Sequence, residues 1–394
     1  MTSKQKTFLA ASCIIFLVYG IFQSLYGAQA SLIMECFNIT SAQHGFILTM
    51  QCLGGMAVAV LCAFIGDKIN KIKACALGIA AMGVFSVLTA SFSFYTVMVL
   101  CGLGAGVAFT FVDIMNNAGV SDAFAENKKK ALPTIHIFFG TGSMAGPYIA
   151  TLMANPKEPS SFANIFMIIG IASIISGIFY AFSAKNIKMP KIQAQEKDGS
   201  KSIFKDKIIW ILMIGGILYF SFQRGIQTWY STHLISDMGV DFNSAGLILT
   251  LFFAGSFVMR LLSPALFSKF NIKKLCMICV LVSAGLMTAA LCVQNIIAIT
   301  ILTTASGFAQ GLFVAAYMYM ATDIYPNNSG TASSAMLIAI NVGGMSSPLW
   351  IGKIAESAGY TLPLFICCAL MALCPLFIWL SYKAAYKKGI KTEC

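Results

Sequence analysis

The stretch GTGSMAGP, residues 140–147, returns 201 residues later as NVGGMSSP, residues 341–348. Met144 falls on Met345 and Pro147 on Pro348. The same shift lays HGFILTM (44–50) on AGLILTL (245–251), and IGDKINKIK (65–73) on LFSKFNIKK (266–274), with Asn70 on Asn271. A shift of 200 aligns Phe22-Gln23 with Phe222-Gln223. Matches at one offset in several separated segments mark a duplication, so the chain reads as two halves of one design.

Composition names the solvent. Hydrophobic residues make up 58% of the 394 and charged residues only 10%, with a mean hydropathy of +0.82. A soluble domain carries about a quarter charged residues. A surface this apolar is stable only against lipid. A bilayer core about 30 Å thick takes roughly 20 apolar residues per helix. Twelve such stretches follow: 7–32, 43–65, 74–93, 95–119, 131–154, 161–183, 207–232, 245–266, 275–293, 296–320, 331–352 and 361–382. The first is too long for a signal-peptide core and lacks a small-residue cleavage site, so it reads as a span. Continuous apolar runs indicate helices rather than barrel strands, which would alternate.

Lysine sets the orientation. With the N-terminus placed in the cytoplasm, that side holds 22 of the 26 basic residues and the other side only Lys157 and Lys353. Positive loops stay inside. The formal charge of +12 is then a topology signal, with attraction to anionic lipid heads, and gives no reason to expect nucleic acid. The expectation is an all-α integral membrane protein of twelve transmembrane helices with both termini cytoplasmic. Its parts are an N-terminal six-helix bundle (1–183), a lysine-rich cytoplasmic linker (184–206) and a C-terminal bundle (207–394). Parallel repeats of this kind are a transporter architecture, with the solute held between them.

The loop GDKINKIK (66–73) resembles the signature loop of the major facilitator superfamily, with Asp67, Lys68, Lys71 and Lys73 fitting its acidic and basic positions. The leading glycine, due near Cys62, is absent, and Asn70 replaces the later one. The resemblance implies two pseudo-symmetric bundles and gives Asp67, Lys68 and Lys71 a gating or structural role. DIMNNAG (113–119) followed by HIFFGTGSMAGP (136–147) is similar to the fucose-permease-like sugar porters. Those carry an acid four residues before an Asn in helix four, then a polar residue ahead of a Phe-Gly-x-Gly stretch in helix five. Two features depart from that pattern: helix one has no acid, and no proline follows Asn117.

Few ionisable groups lie at membrane depth. Asp113, His136, Arg224 and Arg260 are the clear cases, and a charge there costs at least about 2.5–3.5 kcal/mol on insertion scales. Asp113 and His136 fall on consecutive antiparallel helices at similar depth, so the two are expected to face one another as a proton-coupling pair; the alternative is a static bond between two helices. Gln23 and Gln223 are expected as paired polar ligands, and Arg224, standing where the first half has Ser24, adds an always-charged forked donor. Tyr26, Asn117, Gln310 and Asn341 complete the substrate-binding candidates. Tyr19, Tyr219, Trp229 and Tyr317 are read either as stacking partners for a sugar ring or as packing. Arg260, near the inner end of its helix, is expected to brace the cytoplasmic gate.

The other motifs are bland. Gly102, Gly104 and Gly106 serve close helix packing. Cys276 and Cys279 have no companion ligands, so neither metal nor redox chemistry is expected. No phosphate-binding loop or Ser-His-Asp arrangement occurs, so no cofactor is expected and the proton gradient is the expected energy source. The main expectation is a monomeric, proton-coupled carrier of a small polar solute, sugar-like, in the cytoplasmic membrane. The alternative is an organic-anion exchanger or exporter using Arg224. A membrane enzyme or sensor finds no support in any catalytic constellation or soluble domain.

Overall fold

The computed structural model describes residues 3–65, 69–92, 94–124, 128–185 and 203–390. Among them the long elements are all helices: α1 (Ser3–Ala28), α2 (Ala30–Phe37), α3 (Ser41–Ile65), α4 (Lys71–Ser91), α5 (Tyr95–Ala123), α6 (Lys128–Leu152), α7 (Phe162–Ala184), α8 (Lys207–Ser236), α9 (Phe242–Phe267), α10 (Ile272–Cys292), α11 (Ile296–Gln310), α12 (Phe313–Ile324), α13 (Ser329–Ala358) and α14 (Thr361–Lys387). Eleven helical stretches of the described residues are long and apolar enough to cross a membrane. The expected span 131–154 is also helical, as α6. His136, the hydroxyls of Thr134, Thr141 and Ser143, and two interior prolines dilute its apolar character, and it is not among the eleven.

Two expected spans are interrupted. The first breaks at Gln29, between α1 and α2, and the tenth breaks after Gln310, between α11 and α12. Gln29 is fully buried and its Nε2 donates to the Ala150 carbonyl at 2.6 Å, which ties the first break to α6.

The chain divides into two compact units, Met1–Gln195 and Glu196–Cys394. In the first, α1 packs on α6 and α7, α3 on α5, and α4 on α5 and α7. In the second, α8 packs on α13 and α14, α9 on α11, and α10 on α11 and α14. The repeat therefore reproduces the neighbour relations as well as the sequence.

The reason lies in small residues placed at the crossings. Helices in lipid gain little from burying apolar surface, so close approach through small residues decides the packing. A Cβ on Gly54 would strike the Leu103 carbonyl of α5, and one on Gly255 would strike the Thr304 carbonyl of α11. Likewise, Gly106 lies against the Gln51 carbonyl and Gly307 against the Phe252 carbonyl. Each contact is its partner's copy at an offset of 201. At a third crossing the sizes are exchanged: Gly55 faces Thr110 in the first unit, whereas Gly311 faces Ser256 in the second.

Helix starts repeat too. Asn70 Oδ1 accepts from the Lys73 amide at 3.0 Å, and Asn271 Oδ1 from the Lys274 amide at 3.0 Å. Thr40 and Gln43 bond each other's backbone amides at the start of α3, a capping box. At the matching start of α9, Asp241 caps through the Ser244 amide at 2.9 Å. Each cap is worth about 1 kcal/mol.

Candidate functional site

The polar centre of the first unit is built on α5 and α6. Asp113 and Asn117 lie one turn apart on α5, the spacing at which side chains meet. Asn117 Nδ2 donates to Asp113 Oδ1 at 2.9 Å and to the Asp113 carbonyl at 2.9 Å. His136 Nε2 lies 3.0 Å from Asn117 Oδ1. The expected direct meeting of Asp113 and His136 is thus corrected: an amide stands between them. Because Asn117 spends its N–H groups on Asp113, its oxygen can only accept, so His136 Nε2 carries the hydrogen. The amide leaves Asp113 Oδ2 out of this bond, so a proton can arrive there without breaking the chain of contacts. Asp113 and Asn117 are half-buried and His136 is exposed. An edge-on contact with the Phe16 ring, 5.4 Å between centroids, holds the imidazole against α1.

Other candidates separate into two groups. Gln23, Gln223 and Arg224 are half-buried, on equivalent turns of α1 and α8. Arg224 Nη1 donates to Gln227 Oε1 at 3.2 Å, and Asn341 Nδ2 donates to the Leu337 carbonyl of its own helix at 2.9 Å. Tyr26 and Gln310, by contrast, lie inside helix packing. Tyr26 is 1% exposed, with its hydroxyl 3.4 Å from Thr89 Oγ1 and its ring edge-on to Phe166. Gln310 is 1% exposed and accepts the Tyr219 hydroxyl at 2.5 Å. The proposed stacking aromatics are also core: Tyr19 packs on Phe109 and Phe139, Trp229 Nε1 donates to the Pro348 carbonyl, and Tyr317 donates to the Leu212 carbonyl.

At the lysine-bearing ends, Asp67 and Lys68 lie outside the described residues. Lys71 pairs with Asp122 at 2.6 Å, joining the start of α4 to the end of α5. Asp122 was not anticipated from the sequence, although its copy at offset 201 is another acid, Asp323. Asp323 accepts the Tyr382 hydroxyl at 3.0 Å, and Lys273 lies over the Tyr382 ring, 4.5 Å from its centroid. Arg260 takes part in no ion pair among the described residues, so no acidic brace is seen there.

This duplicated bundle can be placed among known proteins. The sequence profile of the Major Facilitator Superfamily matches residues 11–240 and again 226–393. The chain belongs to the major facilitator superfamily. Among curated proteins no sequence matches. Solved structures do. A bacterial homolog of the human lysosomal transporter Spinster, inward-facing and unoccupied, superposes with a TM-score of 0.85 at 14% identity, covering 100% of both chains. The nucleoside transporter NupG gives 0.78 at 14% identity, covering 97% of this chain and 100% of its own. A D-xylose–proton symporter gives 0.77 at 13% identity, covering 96% and 98%. At these identities the likeness is one of fold. Together, family and fold make this superfamily member a multi-pass membrane transporter and not an enzyme.

Proposed function

We propose that the chain is a secondary active carrier of a small polar, sugar-like solute, working by alternating access and coupled to protons through Asp113, Asn117 and His136. The observation that carries this reading is the chain of contacts from carboxylate to amide to imidazole. It joins two titratable groups on different helices, at a depth where an ionisable group is costly unless it serves function. A proton on Asp113 cancels the charge that Asn117 solvates. The load on the α5–α6 contact then changes with protonation, which is what coupling requires. The reading includes twelve spans, α6 among them, both termini and the 184–206 linker in the cytoplasm, a cytoplasmic-membrane location, a monomer, and no cofactor beyond the proton gradient. Gln23, Gln223, Arg224 and Asn341 are the proposed solute contacts, while Asn117, whose amide is engaged with Asp113 and His136, is assigned to coupling rather than to the solute. The lysine asymmetry and the resemblance to sugar porters support these parts.

The test is uptake into proteoliposomes under an imposed pH gradient. Asp113→Asn keeps size and hydrogen bonding but cannot titrate. It should abolish gradient-driven accumulation and spare counterflow exchange; full accumulation by this variant removes Asp113 from the coupling role.

A further inference from the structure

Helices α1 and α6 press together at one level and leave a groove toward their starts. The tight level is set by glycine: a Cβ on Gly20 would strike the Phe139 carbonyl, and one on Gly142 would strike the Leu17 carbonyl. The groove has a volume of about 400 Å³. Its walls are Lys6, Ala10, Cys13 and Ile14 from α1, and Thr134 and Phe138 from α6. Residues three and four apart share one helix face, so the α1 wall is a single stripe. From Lys6 to Ile14 that stripe runs about 12 Å, at 1.5 Å per residue. Cys13 is 4% exposed and forms the floor, whereas Ile14 at 40% and Phe138 at 38% stand up as rims. Pro133 removes one backbone hydrogen bond of α6 at this level, a place where helices bend.

The groove is apolar along its length and cationic at one end. Lys6 is exposed and forms no ion pair among the described residues. The first turns of α1 and α6 contain no acid. In sequence the two helix starts hold Lys4, Lys6, Lys128, Lys129 and Lys130 against one acid, Glu126. A polar solute needs several placed donors and acceptors, and beyond Lys6 these walls offer one hydroxyl and one thiol. An acyl chain needs none. A lysine lays its alkyl stem along apolar surface and keeps its ammonium at the membrane interface. Basic pockets between membrane helices accept anionic lipid heads in this way.

We propose that the α1–α6 groove binds a phospholipid with an anionic head, one acyl chain lying along the stripe from Ala10 to Ile14 and the phosphate at Lys6. The occupant props apart the two helices that hold the His136 ring: Phe138 follows His136 by two residues, and Ile14 precedes its ring partner Phe16 by two. The inference needs only that α1 and α6 lie in a bilayer. It is independent of the solute and of proton coupling.

The experiment is thermal unfolding of the full chain, purified in detergent and titrated with phosphatidylglycerol, with phosphatidylcholine of the same chains, and with glycerol phosphate, the head without chains. A ligand that binds only the folded state raises the unfolding temperature according to its affinity. Phosphatidylglycerol should act at lower concentration than phosphatidylcholine, and glycerol phosphate should not act. Lys6→Gln should weaken the phosphatidylglycerol response about fivefold, the effect of one lysine near an anionic head. Lys4→Gln removes the same charge from the same helix but does not touch the groove, and should keep the preference. Ala10→Trp fills the groove from an exposed position and should reduce phosphatidylglycerol to the level of phosphatidylcholine. The proposal is overturned if phosphatidylcholine is as effective as phosphatidylglycerol, or if glycerol phosphate alone reproduces the response. It is equally overturned if Lys4→Gln costs as much as Lys6→Gln, or if Ala10→Trp responds as the wild type does. Neither solute nor gradient is present, so failure of the sugar or proton-coupling reading leaves this result standing, and failure here leaves that reading untouched.

Discussion

Lys71 and Asp122 form an ion pair at 2.6 Å that ties the start of α4 to the end of α5, with side chains 11% and 24% exposed. The acid recurs 201 residues on as Asp323, but there the link to the start of α10 runs through Tyr382, which bonds Asp323 and carries Lys273 over its ring. One contact is direct and part-buried; the other, among the described residues, runs through a tyrosine.

The direct pair is expected to matter more. Lys71→Met leaves Asp122 partly buried without its cation and should destabilise the first unit by about 1.5–3 kcal/mol, the range for hydrogen bonds to charged groups. Tyr382→Phe removes one hydroxyl bond from a carboxylate at a helix end and should cost about 1 kcal/mol. Thermal unfolding in a single detergent compares the two. An unchanged melting temperature for Lys71→Met would mean that solvent screens the pair as at an ordinary surface.

The repeat was legible because a duplication leaves its offset in the residues. Asn70 and Asn271 aligned in sequence and cap in the same way. Asp122 and Asp323 carried the same signal at the same offset, and Asn117 lay four residues after Asp113 on one helical face. Rotation about a helix axis was not legible. In lipid every face of a span is apolar, so hydropathy could not tell that Tyr26 and Gln310 turn inward while Gln23 stays half-buried. The breaks at Gln29 and Gln310 carry no proline. They arise from tertiary contacts, the Ala150 carbonyl and the Tyr219 hydroxyl, that no local pattern announces.

The glycine crossings make a graded prediction. Gly106→Ala and Gly307→Ala each push a methyl group into a neighbouring backbone carbonyl and should cost about 1–3 kcal/mol, as overpacking does. Gly285→Ala is the control: a Cβ there meets nothing within 4 Å. It should be neutral or stabilising by about 0.4–1 kcal/mol, the usual gain from replacing glycine where the backbone permits. Equal melting temperatures for all three variants would show that the crossings yield freely.

Acid should loosen the starts of α8 and α9. Hydrogen bonds from Ser244 hold Asp241 below its ordinary value of 3.8. At Asp206, burial pushes upward, but the Lys388 ammonium and the Ile208 amide outweigh it and leave the group lowered. A carboxylate lowered in the folded state stabilises above its unfolded value and loses that contribution as pH falls through the folded one. The contribution of these two groups should therefore be level near neutrality and be lost as pH falls below about 3.8. Asp241→Asn, which retains a capping oxygen, should flatten the fall. A fall of the same steepness in Asp241→Asn would remove this cap as a source.

Asn117 is the residue on which the coupling proposal can be separated from a merely structural bond. Leucine shares its γ-branched outline, though it is larger, and cannot hydrogen-bond, so Asn117→Leu severs Asp113 from His136. If the amide only fastened α5 to α6, the variant would melt earlier and carry every flux in proportion to the protein that stays folded. If it links two titrating groups, pH-gradient accumulation should fall by about tenfold or more, the consequence of losing roughly 1.4 kcal/mol between protonation states. Counterflow exchange, which needs no net proton movement, should remain within about twofold. His136→Gln keeps a donor for the Asn117 oxygen and cannot titrate, so it should reproduce the accumulation defect with wild-type melting. Loss of accumulation and counterflow to the same extent in both variants would assign the chain of contacts to structure and leave the coupling proton to another group.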